Sequence, residues 1–403
     1  MGNKASLKDL GTRTILTKAW WSLLYLGIFV FGKHIPLPFA KLQVGQTSAL
    51  LVATGGDSSQ ATLFSLGISP WMSAMIIIGM LAQLRLPLMS KMTERKMDIG
   101  QKTLTFFLAV IQASVMLQEF QLTDNSFGAR LGAGLFLLTG CFLLIWLSVE
   151  NDKNGLGGIS LILMANMFFT LMKNFVSGLI PGLGATEANI VRAFSLLAIL
   201  FLGTMTVILT NAERRVPVTK LLISAEFGSE SYLPIRLLPA GSMPAMFATT
   251  MFVLPKYLLQ FLFNLSAWTP FKQLAAAFDF SRLSGLVIYC LILVGLTYGF
   301  SYISIDPLQQ ADDMQQSGDY IPGFHPGKET EKYLRHLINV YSFVSSIYFV
   351  LFVGLPMGLT LISSRLSSLV MLPNYVIILA GFGAGIAEQI EVLQIRSQYQ
   401  GLL

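Results

Sequence analysis

Of the 403 residues, 54% are apolar and only 12% charged, about half the charged share of an ordinary soluble domain, so this chain cannot cover a water-soluble fold. The net charge of +6 gives no separate reason to invoke a polyanionic partner once the placement of Lys and Arg is taken into account. Two cysteines, Cys141 and Cys290, both lie in apolar runs and read as small packing residues, not as a disulfide framework.

Apolar stretches of roughly 17 to 25 residues recur along the chain, each long enough to cross about 30 Å of hydrocarbon. Ten spans are expected, at 15–33, 67–84, 103–120, 132–149, 158–178, 191–211, 241–262, 284–304, 338–361 and 367–388. Residues Met1 to Asp9 are polar and the apolar run after them is long, so the first span is expected to stay as an anchor and not to be removed as a leader.

After the first span, residues 35–66 do not read as another crossing. A half-length apolar piece, Ser48-Ala49-Leu50-Leu51-Val52-Ala53, is broken by Thr54-Gly55-Gly56-Asp57-Ser58-Ser59. Such a piece leading into a full span is the pattern of a re-entrant or interfacial helix. An ordinary external loop with an amphipathic helix fits the same residues equally well.

Further along, the connections 212–240 and 305–337 are long and polar, and loops of that length in a compact domain are functional or disordered. Turn residues and apolar anchors favour ordered, partner-binding loops here. The second contains Asp306-Pro307 and the run Ser317-Gly318-Asp319-Tyr320-Ile321-Pro322-Gly323-Phe324-His325-Pro326-Gly327-Lys328. Proline fixes its own backbone and glycine permits left-handed turns, so a defined hairpin-like tip is expected.

Charge follows the connections. Lys4, Lys8, Arg13 and Lys18 precede the first span, and Arg85, Lys91, Arg95, Lys96 and Lys102 follow the second. Lys153, Arg214, Arg215, Lys220, Arg236, Lys328, Lys332, Arg335 and Arg396 fall on the same side, giving eighteen of the 27 Lys and Arg. By the positive-inside rule both termini are expected in the cytoplasm, and the basic surplus needs no nucleic acid.

The middles of the spans lack ionisable residues, Lys18 and Lys256 being the nearest, toward span ends. Ion-coupled transporters, proton relays and voltage sensors need such groups at membrane depth. The three histidines, His34, His325 and His336, are far apart, neither cysteine has a ligand near it, and no Gly-x-x-x-x-Gly-Lys run occurs. No metal, cofactor or catalytic residue is therefore expected, and the energy for any vectorial process must come from a partner.

Several separated segments, in order, resemble one family: Leu66-Gly67-Ile68-Ser69-Pro70-Trp71 with Ile76-Ile77-Ile78; Gly158-Ile159-Ser160-Leu161; Glu213-Arg214-Arg215-Val216-Pro217-Val218; Tyr232-Leu233-Pro234-Ile235-Arg236; Ala240-Gly241-Ser242-Met243-Pro244; and Ser317 through Lys328. The chain resembles the SecY/Sec61-alpha family of protein-conducting channels from about residue 10 to Tyr399. That resemblance implies an all-α membrane fold of ten helices in two pseudo-symmetric halves, 1–178 with spans 1–5 and 179–403 with spans 6–10, around a central pore.

It also implies a re-entrant plug helix within 35–66, carrying Ser48, Leu50, Leu51, Val52 and Ala53. The pore ring carried over from the family comprises Ile68 and Met72 on span 2, Leu163 on span 5, Met246 and Thr250 on span 7, and Ile378 on span 10. All but Thr250 are apolar and flexible, as a gasket for any passing sequence requires. The implied docking surface for a SecA-type motor ATPase or a ribosome includes Arg214, Arg215, Arg236, Tyr320, His325, Pro326, Gly327 and Lys328. Other implied partners are a SecE-like subunit, SecG-like or accessory small subunits, an unfolded preprotein with its signal sequence, and the lipid bilayer.

Departures from the family pattern share a direction. His325 stands where the family has Arg and cannot supply a permanently charged bidentate fork. The loop after Val218 is short and less basic, with Lys220, Glu226 and Glu230. At the implied lateral gate, Gly79 replaces a Gln and Leu238 an Asn, so fewer polar groups are expected there. Together with the short chain, these features resemble the accessory SecY of Gram-positive cocci, whose dedicated motor delivers serine-rich glycosylated adhesins. A housekeeping SecY is the alternative within the family, and a small-solute secondary transporter the alternative outside it.

Overall fold

The computed structural model describes residues 2–38, 61–83, 93–120, 126–177, 185–219, 231–266, 268–280, 282–361 and 367–399. Six helices come first: α1 (Gly2–Lys33), α2 (Ser69–Gln83), α3 (Glu94–Glu119), α4 (Phe127–Asn154), α5 (Gly158–Ser177) and α6 (Ala185–Asn211). Two strands, β1 (Glu213–Pro217) and β2 (Tyr232–Arg236), lead to α7 (Met243–Ser266), α8 (Thr269–Ala277), α9 (Leu283–Ser304), α10 (Pro307–Ser317) and α11 (Lys328–Phe349). A π turn at Val350–Gly354, α12 (Leu355–Met357) and a 3-10 turn at Gly358–Leu361 continue α11, and α13 (Ser367–Val370) and α14 (Leu372–Tyr399) close the chain.

The described part of each of the ten expected runs is largely helical. Among the described residues, eight helical segments are long and apolar enough to cross a membrane, and two shorter apolar helices, Ser69–Leu81 and Gly158–Lys173, stand where the second and fifth spans are expected. Several helices overrun the apolar stretch: α1 begins at Gly2, α11 at Lys328, and α14 runs to Tyr399. Hydropathy marks only the lipid-exposed part of a helix, whereas the backbone ladder continues into water wherever polar residues permit.

The outward faces are those of a protein solvated by lipid. Trp20, Phe31, Phe194, Leu197 and Ile208 on α1 and α6 are each at least two-thirds exposed, an apolar surface that water would not tolerate. Inside, one continuous buried cluster joins Phe29, Ile68, Met72, Leu163, Phe247, Phe252, Tyr289, Phe349 and Ile378. Around it α2 packs on α3 and α7, α14 on α5, α6 and α7, and α9 on α7 and α11.

Glycines and one asparagine fix the turn between α4 and α5. Gly157 (φ +73°) and Gly158 (φ +47°) adopt left-handed backbone, which costs glycine nothing. Buried Asn151 accepts from Ser22 Oγ at 2.9 Å and donates to the carbonyls of Leu156 at 3.1 Å and Gly158 at 2.8 Å. Ser22 Oγ in turn accepts from the Leu156 amide at 2.7 Å, and the Gly157 amide donates to Gln389 Oε1 at 2.8 Å. The turn is thereby tied to α1 and α14. Its buried polar groups find partners within the protein.

The π turn in α11 sits one turn before Pro356. Proline has no N–H to donate and crowds the carbonyl four residues back, and a widened turn relieves both. Cys141 is buried and Cys290 half-buried, both as free thiols; the Cys290 sulfur lies against Gly354. Both are packing residues, as expected.

Candidate pore and docking platform

The ring residues implied by the sequence come from four helices. Ile68 caps the start of α2, its carbonyl accepting from the Met72 amide at 3.0 Å, and left-handed Gly67 (φ +63°) turns the chain into that helix. Ile68, Met72, Leu163, Met246, Thr250 and Ile378 are all buried, and the five apolar ones belong to the same central cluster. Since α7 packs on both α2 and α14, and α14 also packs on α5, the four helices adjoin about one axis.

On one side of these residues opens a vestibule of about 500 Å³. Its wall includes Ser160, Arg236, Ser242, Met243, Gly381, Gly385 and Glu388. The Arg236 guanidinium donates to Glu388 Oε1 at 2.5 Å, tying β2 to α14 at the rim. Both side chains are about half exposed, so the pair adds little stability, about 0–1 kcal/mol.

Beyond the other side of the ring lie the ends of the 35–66 segment. The Leu37 amide donates to the Ala61 carbonyl at 2.8 Å and the Leu63 amide to the Ile35 carbonyl at 3.0 Å, around an antiparallel bridge of Pro36 with Thr62. Phe64 stacks on Phe29 with centroids 5.9 Å apart and fills the space left by Gly32, while the Leu63 backbone lies against Gly140 of α4. The residues expected to form a plug, Ser48, Leu50, Leu51, Val52 and Ala53, lie outside the described residues.

The gate positions occupy different surroundings. Gly79 of α2 is half-buried with open space beside it. Its neighbours reach in two directions, Ile78 toward Gly100 of α3 and Met80 toward Gly299 of α9, where the Met80 methyl would lie 3.6 Å from an added Cβ. Leu238 is buried in the central cluster, on the turn that leads into α7.

The seam between α2/α3 and α7 is built from Ala74, Leu108 and Leu254, and then Val115, Val253 and Tyr257. Helical spacing sets Gln112 and Gln260 on this seam, each with a buried Oε1 that has no hydrogen-bond partner. This seam therefore carries two buried polar side chains at positions other than 79 and 238. Gln112 is legible in the sequence as a carboxamide within the apolar run Val110-Ile111-Gln112-Ala113-Ser114-Val115, but attention to ionisable groups alone passes it over.

The two long polar connections fold into one body. β1 and β2 pair antiparallel from Glu213–Arg236 to Pro217–Tyr232. Thr219 and Tyr320 exchange backbone hydrogen bonds of 2.9 and 3.1 Å, which joins the tip of the second connection to the hairpin. Val216 and Ile235 share a small buried core with Met314, Ile321, Leu334 and Leu337.

The second connection is largely helical. Asp306 caps α10 through bonds to the amides of Leu308 and Gln309 at 3.1 and 3.3 Å, the arrangement that Asp-Pro at a helix start favours. Left-handed Gly318 (φ +75°) ends α10, and Gly323 and Gly327 (φ +91° and +100°) shape the turns before α11. The expected hairpin-like tip is therefore a helix, a short turn region and a second helix beginning at Lys328. Phe324 packs on Tyr333 with centroids 4.4 Å apart, and the His325 amide donates to Glu329 Oε2 at 3.0 Å.

On the hairpin, Arg215 stacks over Tyr232 at 4.8 Å and meets Glu213 at 3.1 Å. The neighbouring Tyr341 side chain holds the Arg214 guanidinium pKa above its ordinary value. Lys220, Glu226 and Glu230 lie outside the described residues. The platform presents basic side chains on a rigid two-strand, two-helix support.

Comparison with known proteins decides the family. The SecY family model matches residues 62–380. The chain belongs to the SecY family. Relatives named accessory Sec system protein translocase subunit SecY2 include those of Streptococcus salivarius and Streptococcus sanguinis. Each is 31% identical, over 98% of this chain and all of the relative. The protein of that name from Leuconostoc gelidum subsp. gasicomitatum is 28% identical over 96% of this chain and 97% of its own.

Solved structures share the SecY fold. One titled "The structure of a protein conducting channel" has a TM-score of 0.66 at 17% identity, covering 95% of this chain and 93% of that one. Another, of a SecY protein whose plug domain stabilises the closed state, gives 0.65 at 18% identity over 95% and 92%.

Proposed function

We propose that this chain is the channel subunit of an accessory Sec translocase in the bacterial cell membrane, exporting serine-rich glycosylated adhesins as unfolded preproteins. As a SecY-family protein it is a channel and not an enzyme. The observation that carries the reading is the set of five flexible apolar side chains, Ile68, Met72, Leu163, Met246 and Ile378, buried together where four helices adjoin. Such a ring closes against ions and yields to any extended chain.

In this reading Thr250 completes the ring, and the segment holding Ser48 to Ala53 plugs the outer side. The residue sets 1–178 and 179–403 move apart as two halves, and Gly79, with Leu238 at the foot of α7, belongs to the lateral exit for signal sequences. Both termini and the platform face the cytoplasm. A dedicated SecA-type motor grips Arg214, Arg215, Arg236, Tyr320, His325, Pro326, Gly327 and Lys328, and SecE-like and accessory small subunits clamp the helices.

Proteoliposomes holding this chain with its small subunits, motor and preprotein test the proposal. Preprotein is expected to become protected from added protease only with ATP. Protection with a housekeeping motor and preprotein alone would replace the accessory assignment, and no protection with any matched set would overturn the channel reading.

A further inference from the structure

Beside the five apolar ring residues lie two buried polar side chains, Thr250 and Asn374, and the channel reading gives Asn374 no role. Span α7 presents Met243, Met246 and Thr250 at helical spacing, and α14 presents Asn374, Ile378, Gly381 and Gly385. Met243, Gly381 and Gly385 all line the vestibule, so on both helices the ring residue lies deeper and Thr250 or Asn374 deeper still. The opposite face of α14, with Val376, Leu379 and Ala380, lines a separate apolar groove against α5 and α6.

The register between the two helices follows from a close contact. A Cβ added to Gly381 would run into the Ser242 side chain and lie 3.5 Å from its Cα, so position 381 sits opposite 242. Stepping along antiparallel helices from there sets Ile378 opposite Met246, and Asn374 opposite Thr250. Asn374 and Thr250 are each 1% exposed. Thr250 Oγ1 and both Asn374 side-chain polar atoms have no hydrogen-bond partner.

Threonines in these helices commonly satisfy the hydroxyl on the carbonyl four residues back, as Thr206 and Thr297 do at 2.6 and 2.7 Å. Thr250 does not. On α5, Asn166 lies one turn past Leu163 and accepts from Lys33 Nζ at 2.6 Å. Buried polar atoms without partners are rare in folded proteins, and each calls for a ligand or a functional cause.

We propose that Thr250, the polar member of the ring, and Asn374 form a polar collar on the outer side of the five apolar ring residues that takes the main chain of the polypeptide in transit. A carboxamide offers one donor group and one acceptor, as a peptide unit does, so the collar can bond an extended chain regardless of its side chains. In the resting channel the collar is unsatisfied, which disfavours closure. With a chain or water in the pore it is satisfied, which favours the open state. The collar rests on the channel reading and names a substrate contact within it.

The test uses the proteoliposome assay with Asn374→Leu, Thr250→Val and, as the conservative variant, Thr250→Ser. Removing unpartnered polar atoms from a buried site is expected to maintain or raise the Tm of the purified complex. The initial translocation rate is expected to fall about tenfold in Asn374→Leu, equivalent to about 1.4 kcal/mol, and less in Thr250→Val, with Thr250→Ser at the wild-type rate. A purely structural role would lower rate and Tm together, and that result, or rates unchanged or raised, overturns the collar. If wild type itself transports nothing with any matched set, the channel reading fails, and the collar with it.

Discussion

Replacing Gly140 by alanine tests the packing that holds the 35–66 segment at its base. The added Cβ would overlap the Leu63 carbonyl oxygen and lie 2.8 Å from the carbonyl carbon, where ordinary contact begins at 3.4 Å. Relief requires the Leu63 backbone to withdraw by more than about half an ångström, and overpacking of this kind costs about 1–3 kcal/mol. Gly132→Ala supplies the control. It lies on the same helix with nothing within 4 Å of its added Cβ, so it receives the same helix-propensity gain of about 1 kcal/mol without the clash.

Equilibrium unfolding in detergent–denaturant mixtures is expected to place Gly140→Ala about 1–3 kcal/mol below Gly132→Ala. Ion leak through reconstituted channels should rise only in Gly140→Ala, because the displaced residue anchors the segment beyond the ring. Leu63→Ala should not rescue it: the main clash is with backbone, and the Leu63 Cδ1 contact at 3.2 Å is the lesser one. Equal stability and equal leak in the two glycine variants would refute the reasoning.

Asn151→Ala leaves the Leu156 and Gly158 carbonyls without this donor, and should lower unfolding free energy by at least about 2 kcal/mol, at about 1–3 kcal/mol per buried group left unpaired; denaturant midpoints check it. Leu334→Ala, at a fully buried platform position, should cost about 2–5 kcal/mol and increase protease nicking near 217–219 and 318–321. Arg236→Ala removes a half-exposed pair and should change stability by less than about 1 kcal/mol, measured by Tm.

The membrane fold was legible because a hydrocarbon crossing demands an apolar run of known length, and the described part of each of the ten runs is largely helical. Helix ends were less legible, since Lys328 to Leu337 and Ile390 to Tyr399 are helical without being apolar throughout. Contacts distant in sequence left no periodic trace: Ser22 with Asn151, Gly140 with Leu63, and Thr219 with Tyr320 are pairings that only the folded chain specifies. The ring residues were reachable only through family resemblance, because Ile, Met and Leu look alike at a pore and in a core. Thr250 and Asn374 were visible as polar letters, but that their polar atoms have no partner is a property of three dimensions.

The union of the two polar connections has a mechanical consequence. The hairpin joins α6 to α7, α10 joins α9 to α11, and Arg236 reaches Glu388 on α14. With Val216, Ile235, Leu334 and Leu337 in one small core, the platform is fastened to four helices of the second half of the chain, α6, α7, α9 and α11, and reaches α14 through a weak surface pair. A load applied anywhere on that core is therefore shared among the helices it joins and not taken up by the bending of one loop.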